Sequence, residues 1–290
     1  MKIRYSVFTI ILLLVTNNVL PQYSGDSVKC WMCKNNIHAF HTPYTFGWKH
    51  EIPYIAASLG VMTTGIILDK TNGTEPYNPQ QLADLNRDDV NPFDRGVTYN
   101  WSGEASNVSD VFLIGSVVSP LLFLTNKPTR SDFGWLALMS WEVLSVNYGI
   151  TTTVKNLTDR PRPYVYNPDA PIEERTGTDS RESFFSGHVS TTAAMSVFIA
   201  SVLDEYHPEM KTGIRVSMWT IAALYPAFTG FLRIKAGKHY RTDVIAAYAA
   251  GSLTGWLIPF LHKKRKINDK FSFAPVNIRG NAGLYMSFKF

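Results

Sequence analysis

The sequence predicts an all-α protein with a bundle of six apolar helices at its core, and three observations lead to this fold class. Apolar residues make up 45% of the 290-residue chain and charged residues 18%, which provides a sizeable core and excludes wholesale disorder. After residue 50, apolar blocks alternate with polar connectors. The blocks are mostly too long for buried strands and are rich in Ala, Leu, Gly, Ser and Met, so each one predicts a helix.

The six predicted helices follow one another between residues 51 and 262, which we take as one helical domain. Asp110 is expected in the first turn of the second helix and Asp243 in the first turn of the sixth, where a carboxylate favours the helix dipole. Two connectors are long: residues 69–108, expected to be an acidic surface excursion, and residues 155–188, whose four prolines exclude a long helix. The apolar blocks are Tyr54–Leu68, Val111–Asn126, Phe133–Trp141 with its continuation past Glu142 to Val154, Val189–Leu203, Val216–Leu232 and Val244–Leu261.

Residues 1–22 have the pattern of a secretory signal peptide. Lys2 and Arg4 precede the apolar run Val7–Val15, which is too short for a clear membrane span. No clean cleavage site follows this run, so an uncleaved N-terminal anchor is the alternative.

An N-terminal extension, residues 23–50, contains the two cysteines of the chain, Cys30 and Cys33. In an exported protein these two thiols can form a local disulfide. A zinc site with His38 and His41 is a weaker alternative, because the loop between the two pairs is much shorter than the spacing in zinc fingers. Residues that pack or face solvent without binding a metal are the favoured interpretation.

Residues 263–290 form a basic tail with a short predicted strand. The tail carries seven Lys or Arg against one Asp, a net +6, whereas the whole chain has a net charge of +5. The positive excess is therefore local, and a nucleic-acid-binding surface is not supported. Such a run after an apolar helix is typical of contact with anionic lipid headgroups or of a solvated helix end. Apolar and polar residues alternate over Gly283–Phe290, which predicts a β-like strand packed on the bundle.

Three polar clusters flank the last four predicted helices. If successive helices are antiparallel, all three clusters meet at the same end of the bundle. The clusters are Lys155–Pro163, Ser183–His188, and Leu232-Arg233 with His239 and Asp243.

This end of the bundle has the residue types of an oxyanion site. Lys155, Arg162 and Arg233 bring three cations together, and the planar guanidinium groups match phosphate oxygens. Ser186, Gly187 and His188 open a helix, so their backbone N–H groups and the helix dipole face an anion.

Two histidines add the chemistry of phosphoryl transfer. His239 and Asp243 are four residues apart at the entry to a helix and so share one face. A carboxylate that accepts from the imidazole Nδ1–H leaves Nε2 as a lone-pair nucleophile. His188 is expected to be the general acid that protonates the leaving oxygen. Together with three cations, these groups need no metal.

The three clusters resemble the tripartite signature of the phosphatidic acid phosphatase type 2 family of lipid phosphate phosphatases, in the superfamily that also contains vanadium haloperoxidases. The signature reads Lys, six residues, Arg-Pro; then Pro-Ser-Gly-His; then Ser-Arg, five residues, His, three residues, Asp. Lys155 and Arg162 match the first part, Phe185 replaces the proline of the second, and Leu232 replaces the serine of the third. The resemblance covers roughly residues 50–262.

The resemblance implies a six-helix core and a phosphatase that forms a phosphohistidine intermediate without a cofactor. If the roles of the family apply to the matching residues, His239 is the nucleophile and Asp243 orients it. His188 is then the general acid and later the general base. The residues that the resemblance assigns to phosphate binding are Lys155, Arg162, Ser186, Gly187 and Arg233. The substrate class is a phosphorylated lipid or a small phosphomonoester.

Several alternatives stay open at this point. A soluble, exported, nonspecific acid phosphatase is the first alternative, followed by a vanadium haloperoxidase and a non-catalytic envelope protein. The apolar blocks are short for a bilayer, with fifteen residues in Tyr54–Leu68, and Glu142 interrupts another block. This favours a partly embedded or soluble bundle. We expect an exported, membrane-associated protein with a periplasmic site, although a bundle whose six helices all span would place the site in the cytoplasm. The sequence does not indicate an oligomeric state.

Overall fold

The computed structural model describes residues 42–71, 75–264, 271–278 and 281–288. The predictions for the signal peptide or anchor and for Cys30, Cys33, His38 and His41 lie outside the described residues. The α-helices are α1 (Trp48–Thr71), α2 (Pro79–Ala83), α3 (Pro92–Arg95), α4 (Gly103–Val118), α5 (Lys127–Ser131), α6 (Phe133–Thr158), α7 (Ile172–Arg175), α8 (Gly187–Tyr206), α9 (Thr212–Lys235) and α10 (Arg241–His262). Short 3-10 helices cover Arg87–Asp89, Gly96–Tyr99, Ser119–Thr125, Pro163–Tyr166 and Thr178–Arg181.

The all-α fold class agrees with the sequence prediction, whereas the number of helices exceeds six within the described residues. Six helices, α1, α4, α6, α8, α9 and α10, overlap the predicted apolar blocks, and each has 16 residues or more. The four additional α-helices are short and lie in the connectors. Local capping explains two of them, since Asn78 caps α2, Asn91 caps α3, and each asparagine is followed by a proline at the first helical position.

Polar residues extend the long helices beyond the apolar blocks, and this corrects one predicted helix start. Helix α4 begins after the cap residue Ser102, so its first-turn acid is Glu104 and Asp110 lies in its middle. The prediction for Asp110 is therefore wrong, whereas Asp243 lies in the first turn of α10 as expected. An apolar block marks the buried or lipid-facing middle of a helix and says little about its polar ends.

Helix α8 is the central element of the bundle. It packs against α4, α6, α9 and α10, and eleven of its twenty residues are buried. Its contact with α10 is close because a Cβ on Gly251 or Gly255 would overlap the backbone carbonyl of Ser190 or Ala194. Glycine at these two positions sets the separation of the helices that carry two of the site clusters.

Three helical segments are long and apolar enough to cross a membrane: Trp48–Thr71, Gly103–Thr125 and Arg241–His262. The 24 residues of α1 rise about 36 Å, which exceeds the roughly 30 Å of a bilayer core. The expectation that this helix is too short for a bilayer was therefore wrong. The outward faces of these segments expose large apolar side chains, including Ile67, Val111, Ile114, Leu121, Leu253 and Phe260.

From residue 75 onward, the connector that leads to α4 is structured rather than a surface excursion. Asp94, Val97 and Thr98 are fully or almost fully buried. The Asp94 carboxylate accepts hydrogen bonds from the backbone N–H and the hydroxyl of Thr242 at the start of α10. This connector therefore packs on the end of the bundle that carries the predicted site.

The C-terminal segment has two strands, β1 (Phe271–Ile278) and β2 (Asn281–Phe288). They pair antiparallel, with Phe271 opposite Phe288 and Ile278 opposite Asn281. The sequence analysis expects a single strand over Gly283–Phe290, because only that stretch alternates clearly. Its packing on the bundle and the domain boundaries stay predictions.

Candidate active site

The predicted site residues lie at the end of the bundle where α6 and α9 end and α8 and α10 begin. Lys155 is in the last turn of α6 and Arg233 in the last turn of α9. His188 is the second residue of α8, and Asp243 is in the first turn of α10. His239 lies in the short connection between α9 and α10.

A glycine turn shapes the connection that carries His239. Gly237 has a positive φ of 66°, and a Cβ at this position would overlap the carbonyl oxygen of Asn100. The Gly237 carbonyl accepts a hydrogen bond of 2.9 Å from the backbone N–H of Tyr164. The turn therefore requires glycine, and it is fixed to the 3-10 helix that follows Arg162.

His239 is buried, with 1% of its surface exposed, and its Nδ1 lies 2.7 Å from the backbone carbonyl oxygen of Ser183. A carbonyl oxygen can only accept, so Nδ1 carries the proton and Nε2 carries the lone pair. Nδ1 lies 3.8 Å from Oδ2 of Asp243, which is longer than a hydrogen bond. The direct hydrogen-bond partner of Nδ1 is thus the Ser183 carbonyl, and the role of Asp243 in orienting His239 stays a prediction.

Asp243 instead organises the backbone around His239. Its buried carboxylate accepts from the hydroxyl of Ser183 at 2.6 Å and from the backbone N–H of Tyr240 at 2.8 Å. Arg160 forms an ion pair with Asp243 and a second one, of 2.9 Å, with the buried Asp94. Asp243 therefore fixes Ser183, whose carbonyl accepts from His239, and Tyr240, the residue directly after His239.

Three cations surround His239. Burial and the positive charges of Arg162, Arg233 and Lys155 hold the pKa of His239 well below its usual range. The imidazole is therefore neutral at pH 7, as a nucleophile has to be.

The guanidinium groups of Arg162 and Arg233 are buried, with 5% and 4% of their residue surfaces exposed. Their Nε atoms have no hydrogen-bond partner among the described residues. Burial, followed by the charge of Arg162, lowers the pKa of Lys155 to about 8. Three crowded cations, two of which have an unused Nε–H donor, favour a multiply charged anion between them.

His188 makes a contact that the sequence analysis did not predict. Its Nε2 lies 2.7 Å from Oδ1 of Asp110, and the same oxygen is 3.9 Å from Arg233. Burial, followed by the charge of Arg233, lowers the pKa of His188 to about 4, although Asp110 acts in the opposite direction. An anion beside His188 would favour its protonated form.

The start of α8 adds backbone donors to the site. Ser186 caps the helix by accepting from the backbone N–H of Val189, and Gly187 is the first helical residue. The first N–H groups of a helix have no partner within it, so they are available to an anion. Phe185 and Leu232, which depart from the family signature, are both buried in apolar clusters.

Sequence reasoning missed five residues of this region. Arg160 and Ser183 lie inside the polar clusters, but nothing in the spacing indicated which atoms they contact. Asp94 and Asp110 come from an earlier connector and helix, and no local pattern connects them with the site. Lys238 is largely buried and forms a 2.6 Å ion pair with Glu174.

The residue types fit an anion rather than a metal cation. Lys155, Arg162 and Arg233 are positively charged, and the buried carboxylates of Asp94 and Asp243 are already engaged by Arg160. The arrangement can therefore bind a phosphate group next to a neutral imidazole with a free lone pair.

Comparison with known proteins finds a family match for the segment that contains the site. Residues 135–267 match the family model of the PAP2 superfamily. Among solved structures, the chain is similar to a transmembrane PAP2-type phosphatidylglycerolphosphate phosphatase from Bacillus subtilis, with 17% identity and a TM-score of 0.40. That similarity covers 76% of this chain and 99% of the other. No curated protein matches the chain.

Proposed function

From the match of residues 135–267 to the PAP2 superfamily, we propose that the protein is a phosphatase that hydrolyses a lipid phosphate through a phosphohistidine intermediate. One observation carries the proposal: a neutral, buried His239, whose Nδ1 is fixed by Ser183, lies in the field of Lys155, Arg162 and Arg233. A nucleophilic nitrogen surrounded by cations suits an attack on a phosphate group.

In the first step, the non-bridging phosphate oxygens bind the three cations and the start of α8. Nε2 of His239 attacks phosphorus, the N–P bond forms, and the P–O bond to the lipid breaks. His188 gives its proton to the leaving oxygen, so the lipid departs as an alcohol. The Nδ1–H of the phosphorylated ring stays bonded to the Ser183 carbonyl.

In the second step, water attacks the phosphorus of the phosphohistidine. His188, now neutral, accepts a proton from the water, the N–P bond breaks, and inorganic phosphate leaves. The carboxylate of Asp110 accepts from Nε2–H of His188 in both steps, so Nδ1 is the nitrogen that exchanges the proton with the substrate. The negative substrate raises the pKa of His188 from its low value in the free protein.

The apolar surface next to the site supports a lipid as the substrate. Helix α4 carries Asp110, which contacts His188, and directly beside it the exposed side chains of Val111 and Ile114. A lipid whose acyl chains lie along α4 would bring its phosphate to this end of the bundle. Location in the cell envelope and a periplasmic site are part of the proposal. The proposal does not specify the oligomeric state or the lipid species.

Phosphate release by the purified full chain tests the proposal. Phosphatidic acid and phosphatidylglycerol phosphate in detergent are compared with the soluble ester glycerol phosphate. We expect release from the lipids, and its loss in His239→Ala and His188→Ala at unchanged melting temperature. His207→Ala is the matched control, because His207 lies outside the site and contacts Asn126.

Undiminished phosphate release by His239→Ala would exclude the nucleophile. Release from glycerol phosphate alone would indicate the soluble acid phosphatase instead. Quenching a reaction with labelled lipid should trap an acid-labile, alkali-stable phosphoprotein in the wild type, and its absence would argue against the phosphohistidine. Bromide oxidation that depends on added vanadate would indicate the haloperoxidase.

A further inference from the structure

A second group of titratable residues lies at the opposite end of α10 from the candidate active site. Glu51 near the start of α1, Glu142 in α6 and His262 at the end of α10 are fully buried, and His50 is partly buried beside them. His262 is nineteen residues beyond Asp243, which corresponds to about 28 Å along the helix. These four residues, the distal cluster, have no part in the proposed reaction.

The geometry fixes the tautomer of His262. Its Nδ1 lies 2.8 Å from the backbone carbonyl of Ile258, which can only accept, so Nδ1 carries a proton. Nε2 therefore points at the carboxylates, 3.1 Å from Oε2 of Glu51 and 3.3 Å from Oε2 of Glu142. A histidine that donates one ring N–H to a carbonyl and directs its other nitrogen at carboxylates has the arrangement of a metal ligand.

Several buried atoms of the cluster have no hydrogen-bond partner among the described residues. They are both carboxylate oxygens of Glu142, Oε1 of Glu51 and Nδ1 of His50. A proton on Nε2 of His262 would be donated in a hydrogen bond to Glu51, and Glu142 would stay without a hydrogen bond. Two carboxylates and one imidazolium would also leave a net negative charge in the interior, which is costly.

We propose that the distal cluster binds a divalent transition metal of the zinc type, with His50, Glu51, Glu142 and His262 as ligands. Two imidazoles and two carboxylates are a donor set that suits Zn²⁺, and two carboxylates neutralise its charge. Metal–ligand bonds of 2.0 to 2.1 Å in a tetrahedron separate neighbouring donors by about 3.3 Å. Oε2 of Glu51 and Oε2 of Glu142 lie 3.1 Å and 3.3 Å from Nε2 of His262, which agrees with this value. One donor atom each of His50, Glu51 and His262 lies within 4.8 Å of the others, and small side-chain shifts of His50 and Glu142 would complete the tetrahedron.

A metal at this position is structural and joins three helices. It links the start of α1, the first half of α6 and the end of α10. The backbone makes part of this connection, between the segment before α1 and the end of α10. The Thr45 N–H donates to the His262 carbonyl and the Lys264 N–H donates to the Pro43 carbonyl, at 2.8 Å and 2.9 Å. Removal of the metal should therefore lower the stability of the fold and leave the reaction chemistry 28 Å away unaffected at temperatures well below melting.

The first test measures the metal content and melting temperature of the full chain, purified without a metal-binding tag. We expect about one zinc per chain by elemental analysis. With zinc at a hundredfold excess over its dissociation constant, the melting temperature should rise by roughly 5 to 10 °C relative to protein in EDTA. If no zinc is bound and the melting temperature does not respond to added zinc, the proposal is overturned. A proton shared between His262 and the carboxylates would then hold the cluster together.

Variants locate the site. Glu142→Gln keeps the shape of the side chain and should remove both the bound zinc and the response of the melting temperature to zinc. Glu209→Gln, at an exposed position, is the control for loss of a glutamate charge and should retain both. The double variant Cys30→Ser, Cys33→Ser should also retain both. Zinc that is lost in the cysteine variant and kept in Glu142→Gln would overturn the proposal.

Cobalt substitution of the wild type keeps the proposal testable if Glu142→Gln does not fold. Co²⁺ in a tetrahedral site of nitrogen and oxygen ligands should show visible absorption without a near-ultraviolet thiolate band. A strong thiolate charge-transfer band would place the metal on the cysteines and contradict the assignment.

Discussion

Replacement of Asp243 by Asn should destabilise the fold as well as slow the reaction, because Asp243 acts through its neighbours. The buried carboxylate accepts from the Ser183 hydroxyl and the Tyr240 N–H and forms an ion pair with Arg160. The Ser183 hydroxyl and the Tyr240 N–H both bind Oδ2, and Arg160 binds Oδ1. The amide of Asn must therefore either turn its NH2 group toward Arg160 or leave the two neutral donors without an acceptor, which costs about 1 to 3 kcal/mol. Breaking a buried ion pair costs about 3 to 5 kcal/mol of stability. Because Arg160 keeps its ion pair with Asp94, only part of this cost adds to the cost of the lost hydrogen bonds.

The sum is about 3 kcal/mol, which corresponds to a decrease in melting temperature of roughly 6 to 12 °C for a chain of this size. Thermal unfolding in detergent measures this shift, and Asp169→Asn, at an exposed position, is the control. The kcat/KM for the lipid substrate should fall at least tenfold, because the Ser183 carbonyl that holds His239 moves with the network.

The opposite pattern would refute the reasoning. If the melting temperature stays within about 1 °C while kcat/KM falls about ten-thousandfold, Asp243 orients the imidazole directly, as the aspartate of a serine protease triad does. The separation of 3.8 Å between Asp243 and Nδ1 would then not describe the reacting protein.

Further predictions concern pH, the charge beside His188, helix packing and metal dependence. The pKa of His188 is about 4 in the folded protein and ordinarily about 6.5 in an unfolded chain, so the unfolded state binds the proton first as pH falls. The melting temperature should therefore decrease from pH 7 to pH 5, and less so in His188→Asn; an equal decrease in both would contradict this. Asp110→Asn removes a charge that raises the pKa of His188, so the pH profile of kcat/KM should shift to lower pH, and an unchanged profile would exclude the interaction. Gly251→Ala should lower the free energy of unfolding by about 1 to 3 kcal/mol in chemical denaturation, whereas Gly213→Ala, where no atom lies near a new Cβ, should not. Initial rates in EDTA at low temperature should equal those without it, and a loss restored by a divalent ion would indicate a metal-dependent reaction.

The helical class and the approximate positions of the six long helices can be predicted from the sequence and agree with the structure. The main site residues are predicted from the spacing of the motifs. These are local properties: apolar blocks predict helices, and the spacing from Lys155 to Arg162 or from His239 to Asp243 is read within a few residues. The lengths of the helices were underestimated, because polar residues at helix ends carry no periodic signal.

Only the tertiary structure decided which atoms meet. His188 pairs with Asp110, 78 residues away, and His262 with Glu51, 211 residues away. His239 is held by a backbone carbonyl, which has no signature in any sequence because every residue has one. Partners at such separations depend on how the helices pack, and packing is set by complementary surfaces such as Gly251 against α8 rather than by local pattern. For that reason the distal cluster, composed of four residues from three helices, becomes visible only when the chain is folded.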